Sequence, residues 1–188
     1  VGNGWYRVSF TATANATGNG NILVGMASNA TTISYAGDAS LGMYFWGAQA
    51  EQATTAGEYV KTTGTKNSAP RFDHNPATGE SLGLLLEEAR TNLVAASNSF
   101  STAAATQTLD AGVAPDGTTT AVEIVSNGGG AYKSLVPVTN GSTITYSVFL
   151  KKVSGSGILT AVGIEKFGTT FFGGRLDVNL NDGTLSNP

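Results

Sequence analysis

The chain has 188 residues, enough for one ordinary domain or two small ones, and 40% of them are hydrophobic, enough for a packed core. Charged residues make up only 12% and the net charge is −3, so ten scattered Lys and Arg give no basic footprint for a nucleic acid. The absence of Cys excludes disulfides, thiolate metal sites and Cys nucleophiles, and a single His excludes a multi-His metal site.

Gly and Thr contribute 25 residues each, Ser 16 and Asn 14, and this mixture favours strands joined by turns over long surface helices. The longest apolar runs, such as Leu84-Leu85-Leu86, are too short to insert into a membrane as helices. Val1 stands where an initiator Met would, and no signal-peptide pattern follows, so the chain reads as a piece of something longer.

Taken in chain order, residues 5–14 alternate, with Tyr6, Val8, Phe10 and Ala12 on one face and Arg7, Ser9, Thr11 and Thr13 on the other. That is the pattern of a half-buried strand. Shorter runs of the same kind cover residues 21–27 and 42–50. Residues 67–93 break the pattern. Leu82, Leu85, Leu86 and Ala89 have helical spacing, while Gly83 and three consecutive leucines suit a buried strand. Both readings stay open, and the segment is expected to be an ordered connector. Alternation resumes at residues 121–125, 131–138, 142–152, 158–167 and 175–180. In residues 142–152, Ile144, Tyr146, Val148 and Leu150 face one way, and Thr143, Thr145 and Ser147 the other.

Asn3-Gly4, Asp116-Gly117, Asn127-Gly128, Asn140-Gly141 and Asp182-Gly183 are turn dipeptides that accept positive φ, and several lie between alternating runs. Asn127 to Gly130 lacks the following helix that a phosphate cradle would need. About eight short strands punctuated by turns predict an all-β, antiparallel sandwich.

Asn3-Gly4-Trp5-Tyr6-Arg7-Val8-Ser9 and Leu41-Gly42-Met43-Tyr44-Phe45-Trp46-Gly47-Ala48-Gln49-Ala50-Glu51 resemble the C-terminal half of a jelly-roll module of phage tail-fibre and head-fibre proteins. That module is related to carbohydrate-binding modules and to concanavalin-like sandwiches. Ala69-Pro70-Arg71-Phe72-Asp73-His74, running on through Gly83 to Leu93, is similar to the segment that precedes such modules. Ala114-Pro115-Asp116-Gly117-Thr118-Thr119-Thr120-Ala121 and Tyr146-Ser147-Val148-Phe149-Leu150-Lys151 are similar to the N-terminal half.

The resemblance implies an antiparallel jelly-roll-type β-sandwich whose halves stand in reversed order. Residues 1–66 would be the C-terminal half of a module, 67–93 the connector and 94–188 the N-terminal half. Three arrangements follow: a window cut from a tandem array, a permuted sandwich that closes on itself, or copies that each donate half a sandwich to a neighbour. An unpartnered half would leave open sheet faces and edges, and a heterologous contact that never closes builds a filament.

Trp5, Tyr44 and Trp46 are the candidate glycan-binding residues, since an aromatic plane stacks on the C–H face of a sugar; Tyr6 is the further aromatic of this set. With Tyr6 facing the core, Trp5 faces outward or into a groove. The alternative is that these rings pack between sheets or under a loop, with their N–H groups bonded nearby. His74 follows Asp73, but no Gly-x-Ser-x-Gly nucleophile elbow accompanies it, so it reads as a turn residue before Asn75-Pro76. Glu87 and Glu88 would point to opposite faces of a strand and could not share a substrate. No motif selects a glycosidase acid pair.

Asp177-x-Asn179-x-Asn181-Asp182-Gly183 fails the calcium-loop pattern, with Gly one place late and Pro188 at the position of the bidentate Glu. No cofactor or metal ligand is therefore expected. The relation to lectin-like sandwiches implies at most a structural Ca²⁺ with no ligands assigned. Asn15, Asn29 and Asn140 open glycosylation sequons.

The expected function is a structural and adhesive module of an extracellular fibre, viral or on a cell surface, and not an enzyme. Its partners would be copies of itself and surface glycans, with no nucleic acid and no membrane insertion. The alternatives are a carbohydrate-binding module and, more remotely, a tailspike-like glycan hydrolase.

Overall fold

The computed structural model describes residues 2–27, 40–63, 71–74, 78–85, 91–102, 105–126, 130–154, 159–166 and 171–186. Among these there is no helix. The strands are β1 (Trp5–Thr13), β2 (Gly18–Ala27), β3 (Gly42–Glu51), β4 (Arg71–His74), β5 (Ser81–Leu85), β6 (Ser101–Thr102) and β7 (Ala105–Gly112). They continue with β8 (Ala121–Ser126), β9 (Gly130–Val138), β10 (Thr143–Ser154), β11 (Leu159–Lys166), β12 (Phe171–Asn179) and β13 (Leu185–Ser186). One sheet has the order β1-β10-β3-β8-β7, a second β13-β12-β11-β2-β9-β6, and β4 and β5 form a separate two-stranded sheet. Every pairing is antiparallel. The chain is all-β and antiparallel, as composition and alternation predict.

The period-two faces explain where the core sits. In β1, Val8 is buried and Tyr6, Phe10 and Ala12 pack beside it, whereas Ser9, Thr11 and Thr13 are exposed. In β10, Ile144, Tyr146, Val148 and Leu150 join the same apolar cluster. Met43, Phe45, Val122 and Ile124 extend it across the five-stranded sheet, and Val24, Val138 and Val178 reach it from the six-stranded one. Burial of such side chains contributes roughly 2 kcal/mol each. Tyr146 is fully buried in this cluster, and its hydroxyl has no hydrogen-bond partner among the described residues.

β10 is buried on its other face too, where Thr145, Ser147 and Phe149 lie, because it runs between β1 and β3 and loops cover that side of the sheet. β3 changes phase to serve both faces. Gln49 pairs with Ser147 but Trp46 with Phe149, so β3 carries one extra residue between them, a bulge. Gly47 sits there at φ +63, and a Cβ on it would lie 3.0 Å from Phe149 and 3.2 Å from Tyr59. The bulge keeps Met43, Phe45, Ala48 and Ala50 in the shared cluster. Tyr44, Trp46, Gln49 and Glu51 are left for the opposite face.

The described turns at Asn3-Gly4, Asp116-Gly117, Asn140-Gly141 and Asp182-Gly183 are those the dipeptides predict. Asn3 and Gly4 both have positive φ, and the Trp5 N–H donates to the Gly2 carbonyl at 3.0 Å. At the other end, Asp182 caps its turn by accepting the Thr184 N–H and hydroxyl, and these bonds hold its carboxyl below the usual range. Gly183 has φ +75 and lies against the Tyr6 ring, so the last turn packs on the first strand.

The connector region shows strand where both helix and strand were open: β4 and β5 pair in a hairpin, and residues 86–90, with Glu87 and Glu88, lie outside the described residues. His74 ends β4 opposite Ser81, and Asn75-Pro76, the turn expected after it, lie outside the described residues. The Gly-rich stretch 127–129 also lies outside the described residues.

Candidate functional site

The outward face of the five-stranded sheet holds the three aromatic residues singled out by sequence, and it brings them together. Trp5 and Tyr44 stack with ring centroids 6.4 Å apart. Trp46 packs 4.5 Å from Tyr59 and 5.4 Å from Phe149. Ala114 and Ala121 complete this second apolar cluster. Trp5 does point away from the core that takes Tyr6 and Val8, but it is only 4% exposed, and Trp46 only 3%.

Each polar handle is bonded. The Trp5 indole N–H donates to the Val113 carbonyl at 3.2 Å, that of Trp46 to Thr120 Oγ1 at 3.0 Å, and the Tyr44 hydroxyl to the Ala111 carbonyl at 3.2 Å. Two cations lie over the rings: the Lys151 Nζ is 6.0 Å from the Trp5 centroid, and the Arg7 guanidinium carbon is 5.4 Å from that of Phe149. Both indoles are packed, with the segment through Val113, Ala114 and Thr120 against them, which is the second of the two arrangements the sequence leaves open for these rings.

Beside the aromatics lies a buried polar layer that sequence reasoning did not single out. Gln49 donates through Nε2 to Glu51 Oε1 at 2.9 Å and to the Glu58 carbonyl at 3.0 Å, and its Oε1 accepts the Val60 N–H at 2.7 Å. Glu51 Oε1 also accepts the Gly57 N–H at 2.6 Å. Asn92 accepts from the Ala50 and Val94 N–H groups and donates to the Ala48 and Val60 carbonyls, which fills all four of its hydrogen-bonding positions. Ser97 and Thr62 exchange further bonds, and the Tyr59 hydroxyl meets Ser97 Oγ at 2.5 Å. Burial, with the nearby Asp116 charge, outweighs that hydrogen bond and pushes the Tyr59 phenol up to about 12.

These side chains clip two loops to β3. β8 pairs only with Gly42 to Phe45 of β3, so the remainder of the strand needs other partners. Residues 92–98 supply them: the Leu93 N–H donates to the Ala50 carbonyl, the Ala48 N–H to the Ser97 carbonyl, and the Gly47 N–H to Asn98 Oδ1. Gln49 and Glu51 hold residues 57–60 over the same face. The signal for this layer was present as Gln49 and Glu51 at period two after Trp46, but the bulge at Gly47 hides which face they share. Asn92 and Tyr59 fall in irregular segments, where periodicity carries no information.

Among the described residues, no three of His, Cys, Asp and Glu converge as a metal-holding cluster. Asp177 is buried in β12, while Asn179 and Asp182 serve the following turn. Asn15 and Asn140 are exposed in adjacent turns, joined where the Gly141 N–H donates to the Ala14 carbonyl; Asn29 lies outside the described residues. No described helix is long and apolar enough to cross a membrane. Compared with known proteins, the chain matches no family model, no curated protein and no solved structure.

Proposed function

We propose that the chain is a structural and adhesive module of an extracellular fibre, of the kind that builds phage tail and virion fibres, and that its two large sheets form a jelly-roll-type β-sandwich. The sandwich reading is supported by the apolar cluster, which draws Val24, Val138 and Val178 from one sheet and Val8, Phe45, Tyr146 and Leu150 from the other. The single observation that carries the functional reading is where the chemistry-bearing side chains go. Trp5, Trp46, Gln49, Glu51 and Asn92 are consumed in packing and hydrogen bonds. Among the described strand residues left to solvent are Ser9, Thr11, Thr13, Thr106 and Thr108, together with Leu109, Asp110 and Val153. Exposed strand positions rich in Ser and Thr on a hydrogen-bonded β body suit display and assembly more than turnover.

In this reading adhesion to glycans falls to exposed groups other than the two buried indoles. The test of the assembly reading is native mass by light scattering as a function of concentration. Masses above one chain that grow with concentration are expected. A chain that stays at 19.1 kDa throughout overturns the reading.

A further inference from the structure

The strand ladder divides the chain into a donor and an acceptor. β1 pairs with β10, β2 with β9 and β11, and β3 with β8 and β10. Among the described residues, no strand of 2–63 pairs with another strand of that segment. Residues 91–186, by contrast, hold the pairs β7–β8, β6–β9, β11–β12 and β12–β13 by themselves. They lack a neighbour for β10 on either side and leave the place between β9 and β11 to β2. The two segments are linked through residues 64–90, whose described strands pair with each other and with neither large sheet.

Alone, the acceptor would present to water its open edges and the apolar side chains that β1, β2 and β3 cover, and the donor would have no paired strands. The ladder and the core contacts are the same whichever copy supplies the donor strands. We propose that a second copy of this chain supplies them: β1, β2 and β3 of one copy insert beside β10, β9 and β8 of another, and the chains grow by strand exchange. The inference rests on the fibre reading and deepens it by naming the partner and the surface. Within one chain the connector holds the donor at an effective concentration on the order of millimolar, so exchange competes when chains fold together at comparable concentration.

Thr13 of β1 and Thr143 of β10 are direct register partners; Thr13 is exposed and Thr143 half-buried. The chain has no Cys, so introduced thiols report without interference. Thr13→Cys and Thr143→Cys variants are prepared separately, unfolded, mixed, refolded at roughly millimolar concentration and oxidised. Exchange is expected to give a disulfide joining position 13 of one chain to position 143 of the other, identified by peptide mapping and so separated from chance links between two exposed positions 13. The double variant refolded in dilute solution, closing the same bond within one chain, verifies that the pair geometry accepts it.

Assemblies that form without the 13-to-143 link overturn strand exchange and leave the fibre reading standing. A mixture that stays at the mass of one chain overturns both.

Discussion

At Tyr146 the core holds a hydroxyl with no described partner. A buried O–H without a hydrogen bond loses its hydration and gains nothing in return. Tyr146→Phe is therefore expected to raise stability by about 1 kcal/mol, read as a higher urea midpoint with unchanged slope; a loss of similar size would show that the hydroxyl is bonded in solution. Burial also raises the Tyr146 and Tyr59 phenols above their ordinary value of 10.0. The sign follows from linkage. The folded state holds these protons more tightly than the unfolded state, so their contribution is complete below pH 10 and is lost as pH rises through the folded value, about 12 for Tyr59. Urea midpoints measured from neutral pH upward should fall steadily above about pH 10, and Tyr59→Phe should flatten part of that fall. A midpoint that does not change there would contradict the burial of both phenols.

The residue scale was also where sequence reading was weakest. Alternation placed Trp5 on the face opposite Val8 and left open whether a loop covers it; it could not say that the covering segment is the one through Val113 and Thr120.

Among the elements, β3 shows most clearly how one residue sets the layout. Without the extra residue at Gly47, Ala48 and Ala50 would turn away from the core and Gln49 and Glu51 into it. The bulge prevents this, and Asn92 then serves the strand where β8 stops. Asn92→Ala would strip partners from the Ala48 and Val60 carbonyls and the Ala50 and Val94 N–H groups together. A loss of roughly 3 kcal/mol or more is expected in chemical denaturation, with hydrogen exchange at Ala50 and Val94 accelerated. A change within experimental error would mean that residues 92–98 do not hold β3.

Strands with strong alternation were legible, as β1, β2, β3, β8, β9, β10, β11 and β12 show. β7 was not, because an edge strand bearing exposed Thr106, Thr108, Leu109 and Asp110 has no apolar face to betray it. Asp110 at φ 51 marks the irregularity that breaks its pairing with β8. The two-residue strands β6 and β13 are too short to leave any period.

For the whole molecule, the order of strands matters more than their number. The sequence shows alternating runs at both ends and a different middle, and the family resemblance implies two reversed halves around a connector. What it could not show is that β1, β2 and β3 interleave with β8, β9, β10 and β11 and never pair among themselves. Pairing between segments far apart in sequence is decided by tertiary packing, and no local pattern encodes it. The interleaving makes residues 2–63 and 91–186 dependent on one another, while the last turn at Gly183 returns to Tyr6.

The measurement that bears most directly on this picture is the native mass of the unsubstituted chain, by multi-angle light scattering after refolding over a range of concentrations. The expected result is a mass of 19.1 kDa in dilute solution that climbs through multiples of it as the concentration approaches the order of millimolar. A single-chain mass at every concentration would mean that each chain keeps its own donor strands, and neither the fibre function nor strand exchange would stand.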